Sequence, residues 1–287
     1  MQKRVPLVSR ETLIPFILLT ICFAAWGVAA NMTDPLVKVF SKIFTMSSLQ
    51  SALVQFAYYG AYFCLAIPAA FINKRFSYKT GVLTGLGCAA AGAFLFYPAS
   101  QTMTYGFFLL ALFVLAGGLS ILETSANPYV MAMGCEQSAT RRLNLAQAFN
   151  PVGTNLGVFL AATLILPNLN QASAEQRASM SAAELKAVIG AELDAVMVPY
   201  VGMAVVLVVV WIAIACIKTP VNESTEQSSE NIKLGASLKR LMHNRHYRFG
   251  VLAQFFNVGA QTCVWTFTIQ YAMAAIGGNE VDGGQVL

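Results

Sequence analysis

The chain has 287 residues, of which 57% are apolar and only 11% charged, whereas about 25% of the residues of a soluble globular protein are charged. This composition excludes a soluble enzyme and predicts an integral membrane protein. The formal net charge is +5, but the basic residues are scattered over loops, so the sequence gives no support to nucleic-acid binding.

Seven apolar stretches, each longer than the about 18 residues that identify a transmembrane helix, follow one another along the chain. They cover residues 12–40, 49–72, 80–98, 104–133, 143–166, 195–217 and 247–275. We interpret all seven as helices, because a backbone in hydrocarbon must satisfy its own hydrogen bonds and the alternation of a β-barrel is missing. The fold class is therefore all-α and membrane-embedded.

The basic residues predict the orientation of these spans. With a cytoplasmic N-terminus, 14 of the 18 Lys and Arg residues fall inside and four fall outside, which is the positive-inside pattern. A cleaved signal peptide is the alternative for the first span. That run continues past Ala30 to Phe40, whereas the apolar part of a signal peptide usually has about 7–15 residues.

Two long connections interrupt the series of spans. Residues 167–194 form an outside loop, with a short surface helix expected at Ser181 to Ile189, and residues 218–246 have the polar composition of a flexible cytoplasmic linker. The predicted domains are a six-helix bundle at 1–217, the linker at 218–246, and the first helix of an incomplete second bundle with its tail at 247–287.

Five spans carry polar residues on one face, and spans 3 and 6 do not. The polar residues step by three or four positions, which is the helical repeat. They are Gly27, Asn31 and Asp34 in span 1, Ser51, Gln55, Tyr58 and Tyr62 in span 2, Ser120, Glu123 and Asn127 in span 4, Gln147, Asn150 and Thr154 in span 5, and Gln254, Asn257, Gln261 and Trp265 in span 7. Because polar groups are costly in a membrane, we expect these five spans to line a polar cavity, with spans 3 and 6 behind them.

Asp34 and Glu123 are the two acidic residues that we place well within the spans. Burial favours the neutral form of a carboxylic acid, and a group that exchanges between its neutral and charged forms can carry a proton. A structural hydrogen bond to a neighbouring helix is the alternative. The cysteines show no C-x-x-C spacing, and His243 and His246 have no thiol or carboxylate nearby, so we expect no disulfide framework and no metal site.

Four segments resemble the L-fucose:proton symporters of the major facilitator superfamily. They are residues 31–34 (NMTD), 121–128 (ILETSANP), 143–150 (LNLAQAFN) and 251–262 (VLAQFFNVGAQT), and the resemblance runs from about Ile14 to Ile276. It implies twelve helices in two six-helix bundles, alternating access, and a central cavity for sugar and proton. Helices 8–12, which such a carrier needs for function, would then lie beyond this chain.

The resemblance also implies roles for individual residues. It makes Glu123 the proton-coupling residue and implicates Asp34 in sugar recognition and coupling. The candidate substrate-binding residues are Asp34, Asn31, Asn127, Gln147, Asn150, Gln261 and Trp265. The expected function is proton-coupled symport of a neutral monosaccharide, L-fucose first, across the bacterial inner membrane, with the proton as coupling ion and no other cofactor.

Three alternatives remain open. A glucose, galactose or N-acetylglucosamine transporter of the same family would share these features. A seven-helix receptor fits the span count, although such receptors usually have an outside N-terminus, and a retinal protein would need a lysine that span 7 lacks. An intramembrane hydrolase could use Asp34 and Glu123 as acid and base.

Overall fold

The computed structural model describes residues 6–43, 48–168, 170, 176, 177, 179–217 and 234–276. In parts of these ranges, among them residues 33–43, 48–52, 55 and 265–276, only the backbone is described. The chain divides into two compact units, Met1–Gln227 and Ser228–Leu287. Throughout the described residues the regular structure is helical.

The described residues form nine α-helices in the two units. The first unit contains α1 (Leu13–Ile43), α2 (Ser48–Arg75), α3 (Tyr78–Thr102), α4 (Tyr105–Ala132), α5 (Ala139–Gln147), α6 (Phe149–Leu160) and α7 (Ala182–Cys216), and the second contains α8 (Leu234–His243) and α9 (Arg245–Ile276). Six segments of the described part, with α5 and α6 counted together, are long and apolar enough to cross a membrane. The all-α membrane fold is thus confirmed, and the seventh predicted span is helical as α9.

The fifth span differs from the single helix predicted at 143–166. It begins four residues earlier, at Ala139, and is interrupted at Ala148. Pro151 has no N–H to donate to the Gln147 carbonyl, and its ring crowds that carbonyl, which favours a break at this point. The proline was visible in the sequence, and its effect was missed.

The short surface helix predicted at Ser181 to Ile189 is in fact the beginning of α7, which runs without a break to Cys216. A capping box starts this helix: the Ser181 hydroxyl accepts from the Glu184 N–H at 3.3 Å, and the Glu184 carboxylate accepts from the Ser181 N–H at 3.0 Å. Sequence analysis placed a loop where α7 already begins.

Because α7 starts early, two further acids, Glu192 and Asp194, lie within a long apolar helix beyond its first turn. Glu192 is buried and forms an ion pair with buried Arg177, whose Nη1 donates to Glu192 Oε2 at 2.9 Å. The backbone N–H of Asn170 donates to the same carboxylate at 3.0 Å. The prediction that only Asp34 and Glu123 lie well within spans was therefore wrong, but the charge of Glu192 is compensated and ties the preceding loop to α7.

The linker predicted at 218–246 contains α8, a ten-residue helix from Leu234 to His243 that sequence analysis missed. Residues 218–233 lie outside the described part of the chain.

Arg142, which we predicted in a cytoplasmic loop, is fully buried within α5. Its guanidinium donates to the carbonyls of Val130 and Met131 at the end of α4, at 3.2 and 2.6 Å, and to those of Cys135 and Leu7, at 3.1 and 3.2 Å. Five N–H groups in a fixed planar fork suit this role. Arg142 therefore fixes the start of α5 to the end of α4.

Helices α3 and α7, the two spans without a polar stripe, pack on each other. The indole of Trp211 on α7 donates to the Leu83 carbonyl on α3 at 2.9 Å. On its other side α3 meets α4, where a Cβ added at Gly85 would lie 2.5 Å from the backbone nitrogen of Leu122. Only glycine allows this approach.

Helices α1 and α6 pack equally closely through glycines on both sides. A Cβ added at Gly153 would lie 1.9 Å from the Ala24 carbonyl oxygen, and one added at Gly27 would lie 2.3 Å from the Asn150 carbonyl oxygen. Contacts below 3.0 Å do not occur for real Cβ atoms, so any side chain here would push the helices apart.

We therefore predict that Gly153→Ala destabilises the chain by about 1–3 kcal/mol, the usual cost of overpacking. Gly106→Ala is the matched control, because nothing lies within 4 Å of the Cβ it would add. Thermal unfolding of both variants in detergent measures the difference. Equal melting temperatures would show that the contact between α1 and α6 does not constrain the fold.

Candidate functional site

Glu123 lies on α4 in an accessible stripe. Leu122 and Ser125 beside it are buried, whereas Glu123 and Asn127 are partly exposed, so they share the open face of this helix. Within the described residues the single ion pair is that of Arg177 and Glu192, which leaves Glu123 without an ion-pair partner there.

The next contact joins α4 to α5. Gln147 Nε2 donates to Asn127 Oδ1 at 2.9 Å, and Asn127 lies one turn beyond Glu123 on the same face. Gln147 is exposed and is the last residue of α5 before the interruption at Ala148. The break that Pro151 causes therefore lies beside a predicted binding residue.

Helix α6 carries two contacts to α1. Asn150 Nδ2 donates to the Phe23 carbonyl at 3.3 Å. Asn31 Nδ2 donates to Thr154 Oγ1 at 3.0 Å and to the Gly27 carbonyl at 3.1 Å. These hydrogen bonds lie along the glycine contact between the two helices, so the close approach and the polar contacts support each other.

Tyr62 on α2 connects α1 to α4. Its hydroxyl accepts from Trp26 Nε1 at 2.9 Å, and its carbonyl accepts from Ser120 Oγ at 3.2 Å. The ring of Tyr58 lies 5.3 Å from that of Tyr62, between centroids. Ser120 is one turn before Glu123 on α4.

These contacts close on themselves, and we call the closed set the polar circuit. Along each helix its members are about one turn apart. Hydrogen bonds join α4 to α5, α6 to α1, α1 to α2 and α2 to α4, and the backbone itself connects Gln147 to Asn150 across the interruption at Ala148. Its members are Ser120, Glu123 and Asn127 on α4, Gln147 on α5, Asn150 on α6, Phe23 and Trp26 on α1, and Tyr62 on α2. The circuit brings four helical spans around one set of donors and acceptors that includes a single carboxyl group.

The structure brings together most of the predicted site residues of the first unit. Glu123, Asn127, Gln147 and Asn150 belong to the polar circuit, and Asn31 lies one turn along α1 from Gly27, which contacts Asn150.

The other predicted residues stay untested. The side chains of Asp34 on α1 and Trp265 on α9 lie outside the described residues. Gln261 is exposed on α9, in the second unit.

Sequence analysis missed Trp26. An indole N–H within an apolar span needs a hydrogen-bond partner, and this requirement was the available signal. The partner itself, Tyr62, was among the polar residues of span 2.

Known proteins resemble the chain in sequence. A family model described as Major Facilitator Superfamily matches residues 17–286. The L-fucose-proton symporter of Haemophilus influenzae is 43% identical over 269 residues, with 92% of this chain and 62% of the relative covered. The L-fucose-proton symporter of Escherichia coli is 42% identical over 271 residues, with 94% and 62% covered. A glucose/galactose transporter of Brucella abortus is 37% identical over 253 residues, with 88% and 57% covered.

The fold matches a solved structure as well. The crystal structure of FucP, a major facilitator superfamily transporter in the outward conformation, superposes with a TM-score of 0.81 at 41% identity and covers 92% of this chain and 64% of that one. The chain thus spans about 62% of the length of the two fucose symporters. These matches confirm the resemblance to the L-fucose:proton symporters. With six segments of the described residues able to cross a membrane, the chain belongs to the major facilitator superfamily.

Proposed function

We propose that this chain provides the proton-coupling residue and part of the sugar site of a carrier that moves L-fucose together with a proton across the bacterial inner membrane. The observation that carries this proposal is Glu123, a carboxyl group in the polar circuit with no ion-pair partner among the described residues. Relatives at 43% and 42% identity are named L-fucose-proton symporters.

Glu123 has the environment that a coupling residue requires. It is partly exposed on the open face of α4, where water and a proton can reach it. When the carrier changes from an open to a closed cavity, the balance between the protonated and the charged form of Glu123 changes. Intramembrane carboxyl groups of this kind mark proton pathways in transporters.

The amides of the polar circuit suit the hydroxyl groups of a sugar. Among the described contacts, the Asn127–Gln147 hydrogen bond uses one donor and one acceptor, which leaves the Asn127 amide nitrogen and the Gln147 amide oxygen for a ligand. The Trp26 indole offers an apolar face for the sugar ring. Sites of this class combine aromatic surface with a few placed polar groups.

Asn31 has a more restricted role than sequence analysis assigned to it. Both of its amide hydrogens are used, one by Gly27 and one by Thr154, so only its oxygen remains for a sugar hydroxyl. We assign Asn31 chiefly to holding α1 against α6.

Residues outside the polar circuit complete the proposal. Asp34 is proposed for sugar recognition and coupling, and Gln261 and Trp265 for sugar contacts made from the second bundle. The N-terminus is proposed to be cytoplasmic. Helices 8–12 of a complete carrier supply the other wall of the cavity, because alternating access moves one bundle against the other around a site between them.

The cargo is tested by competition. Residues 14–276 of this chain replace the matching segment of the E. coli symporter, and uptake of labelled L-fucose is measured in cells without their own fucose carrier. Unlabelled L-fucose suppresses uptake, whereas strong suppression by D-glucose or D-galactose would favour the function named for the Brucella relative. We expect the labelled sugar to be recovered chemically unchanged. A chemical change made by the chimera itself would indicate an enzyme instead of a carrier.

In this chimera we predict that Glu123→Gln abolishes proton-driven accumulation and leaves exchange of labelled for unlabelled L-fucose largely intact. The amide keeps the shape of the side chain and can still form hydrogen bonds, but it cannot release a proton. Uptake and exchange in vesicles with an imposed pH gradient separate the two activities.

Glu136→Gln is the matched control, because Glu136 is an exposed acid in the turn after α4. It is expected to accumulate L-fucose like the parent chimera. Uphill uptake by Glu123→Gln at the parent level would remove Glu123 from the coupling role.

We also predict that Gln147→Ala weakens L-fucose binding by about tenfold, the equivalent of one net hydrogen bond. Asn155→Ala is the control, since Asn155 is an exposed amide on α6 that bonds the carbonyl of Pro151 in its own helix, at 2.8 Å. Calorimetric titration of both chimeras gives the affinities. Equal losses would show that the polar circuit does not contact the sugar.

A further inference from the structure

Helix α8 has two chemically different faces. Leu238, Leu241 and Met242 have the i, i+3, i+4 spacing of one helical face, and Leu238 and Met242 are 56% and 52% exposed. Lys239 and Arg240 lie together on the side of the helix away from this apolar stripe and are exposed as well. In the described part of the chain, the apolar side of α8 is left open.

The connection to α9 holds α8 near the bilayer. A single residue, Asn244, separates the two helices, and its side-chain oxygen accepts from the His246 N–H at 2.9 Å at the start of α9. Helix α9 covers the seventh predicted span. A helix joined to a membrane helix by one residue begins at the membrane surface.

The basic residues around α8 indicate what covers its apolar face. Beyond Lys239 and Arg240, the first turn of α9 adds Arg245 and Arg248, and no acidic residue lies between 234 and 276. A short helix with an apolar stripe and a basic polar face is typical of binding at the headgroup layer of an anionic membrane. An apolar protein surface would leave these basic residues without complementary charge.

We propose that α8 is a surface helix that binds anionic phospholipid, with Leu238, Leu241 and Met242 in the upper acyl region and Lys239 and Arg240 at the headgroup phosphates. This contact anchors the connection between the two bundles to the lipid surface. It does not depend on which sugar is carried.

The test places an environment-sensitive fluorophore at Leu238→Cys in the full chain, after its six native cysteines are replaced. The protein is reconstituted in vesicles of phosphatidylcholine alone or with one quarter phosphatidylglycerol. The expected result is emission at shorter wavelength, with quenching by nitroxide-labelled lipid, in the anionic vesicles, and partial loss of both at high salt. Emission typical of water in both kinds of vesicle would overturn the proposal. Emission typical of an apolar environment that lipid nitroxides do not quench would also overturn it, because it would indicate a protein partner.

A charge-reversal pair gives a second, independent readout. Lys239→Glu with Arg240→Glu is expected to reduce lipid quenching by at least fivefold. Each basic residue near an anionic surface strengthens the affinity for that surface by a factor of about five. Lys74→Glu with Arg75→Glu makes the same change at exposed residues ending α2 and is expected to leave quenching unchanged. Equal quenching in the two double variants would contradict an electrostatic contact between α8 and lipid.

Discussion

Helices α1 and α6 touch along their backbones because Gly27 and Gly153 place no side chain between them. Apolar surface gains nothing by leaving lipid, so membrane helices associate through close packing and hydrogen bonds between helices. Asn31 on α1 donates to Thr154 on α6, and Asn150 on α6 donates to the Phe23 carbonyl on α1. Both hydrogen bonds cross the contact between the two helices. A wider spacing would break both hydrogen bonds, and with them one side of the polar circuit.

The interruption at Ala148 also positions residues of the polar circuit, on α5 and α6. Pro151 favours a break here, so Gln147 is the last residue of α5 and Asn150 lies in the first turn of α6. Irregular backbone is tolerated at membrane depth where it lines a protein cavity, and transporter sites are typically built on such broken helices. Arg142 compensates by fixing the start of α5 to the end of α4, so the break stays local.

Much of the fold and part of the site could be predicted from sequence. Long apolar runs identify helices because their length and composition suffice, and the three-to-four spacing placed Glu123, Asn127, Gln147 and Asn150 on inward faces. Other features depend on tertiary contacts that composition does not report. Glu192 resembled a loop acid until α7 proved to begin at Ala182, and α8 is too short and too polar to stand out in a hydropathy pattern.

The central claim is that the polar circuit couples a sugar to a proton through Glu123. The most direct measurement is the pH outside de-energised cells that contain the chimera when L-fucose is added. Symport predicts that the medium becomes more alkaline, because each sugar enters with a proton, and that this change disappears in Glu123→Gln. Entry of labelled L-fucose into the same cells without any change of external pH would contradict the account.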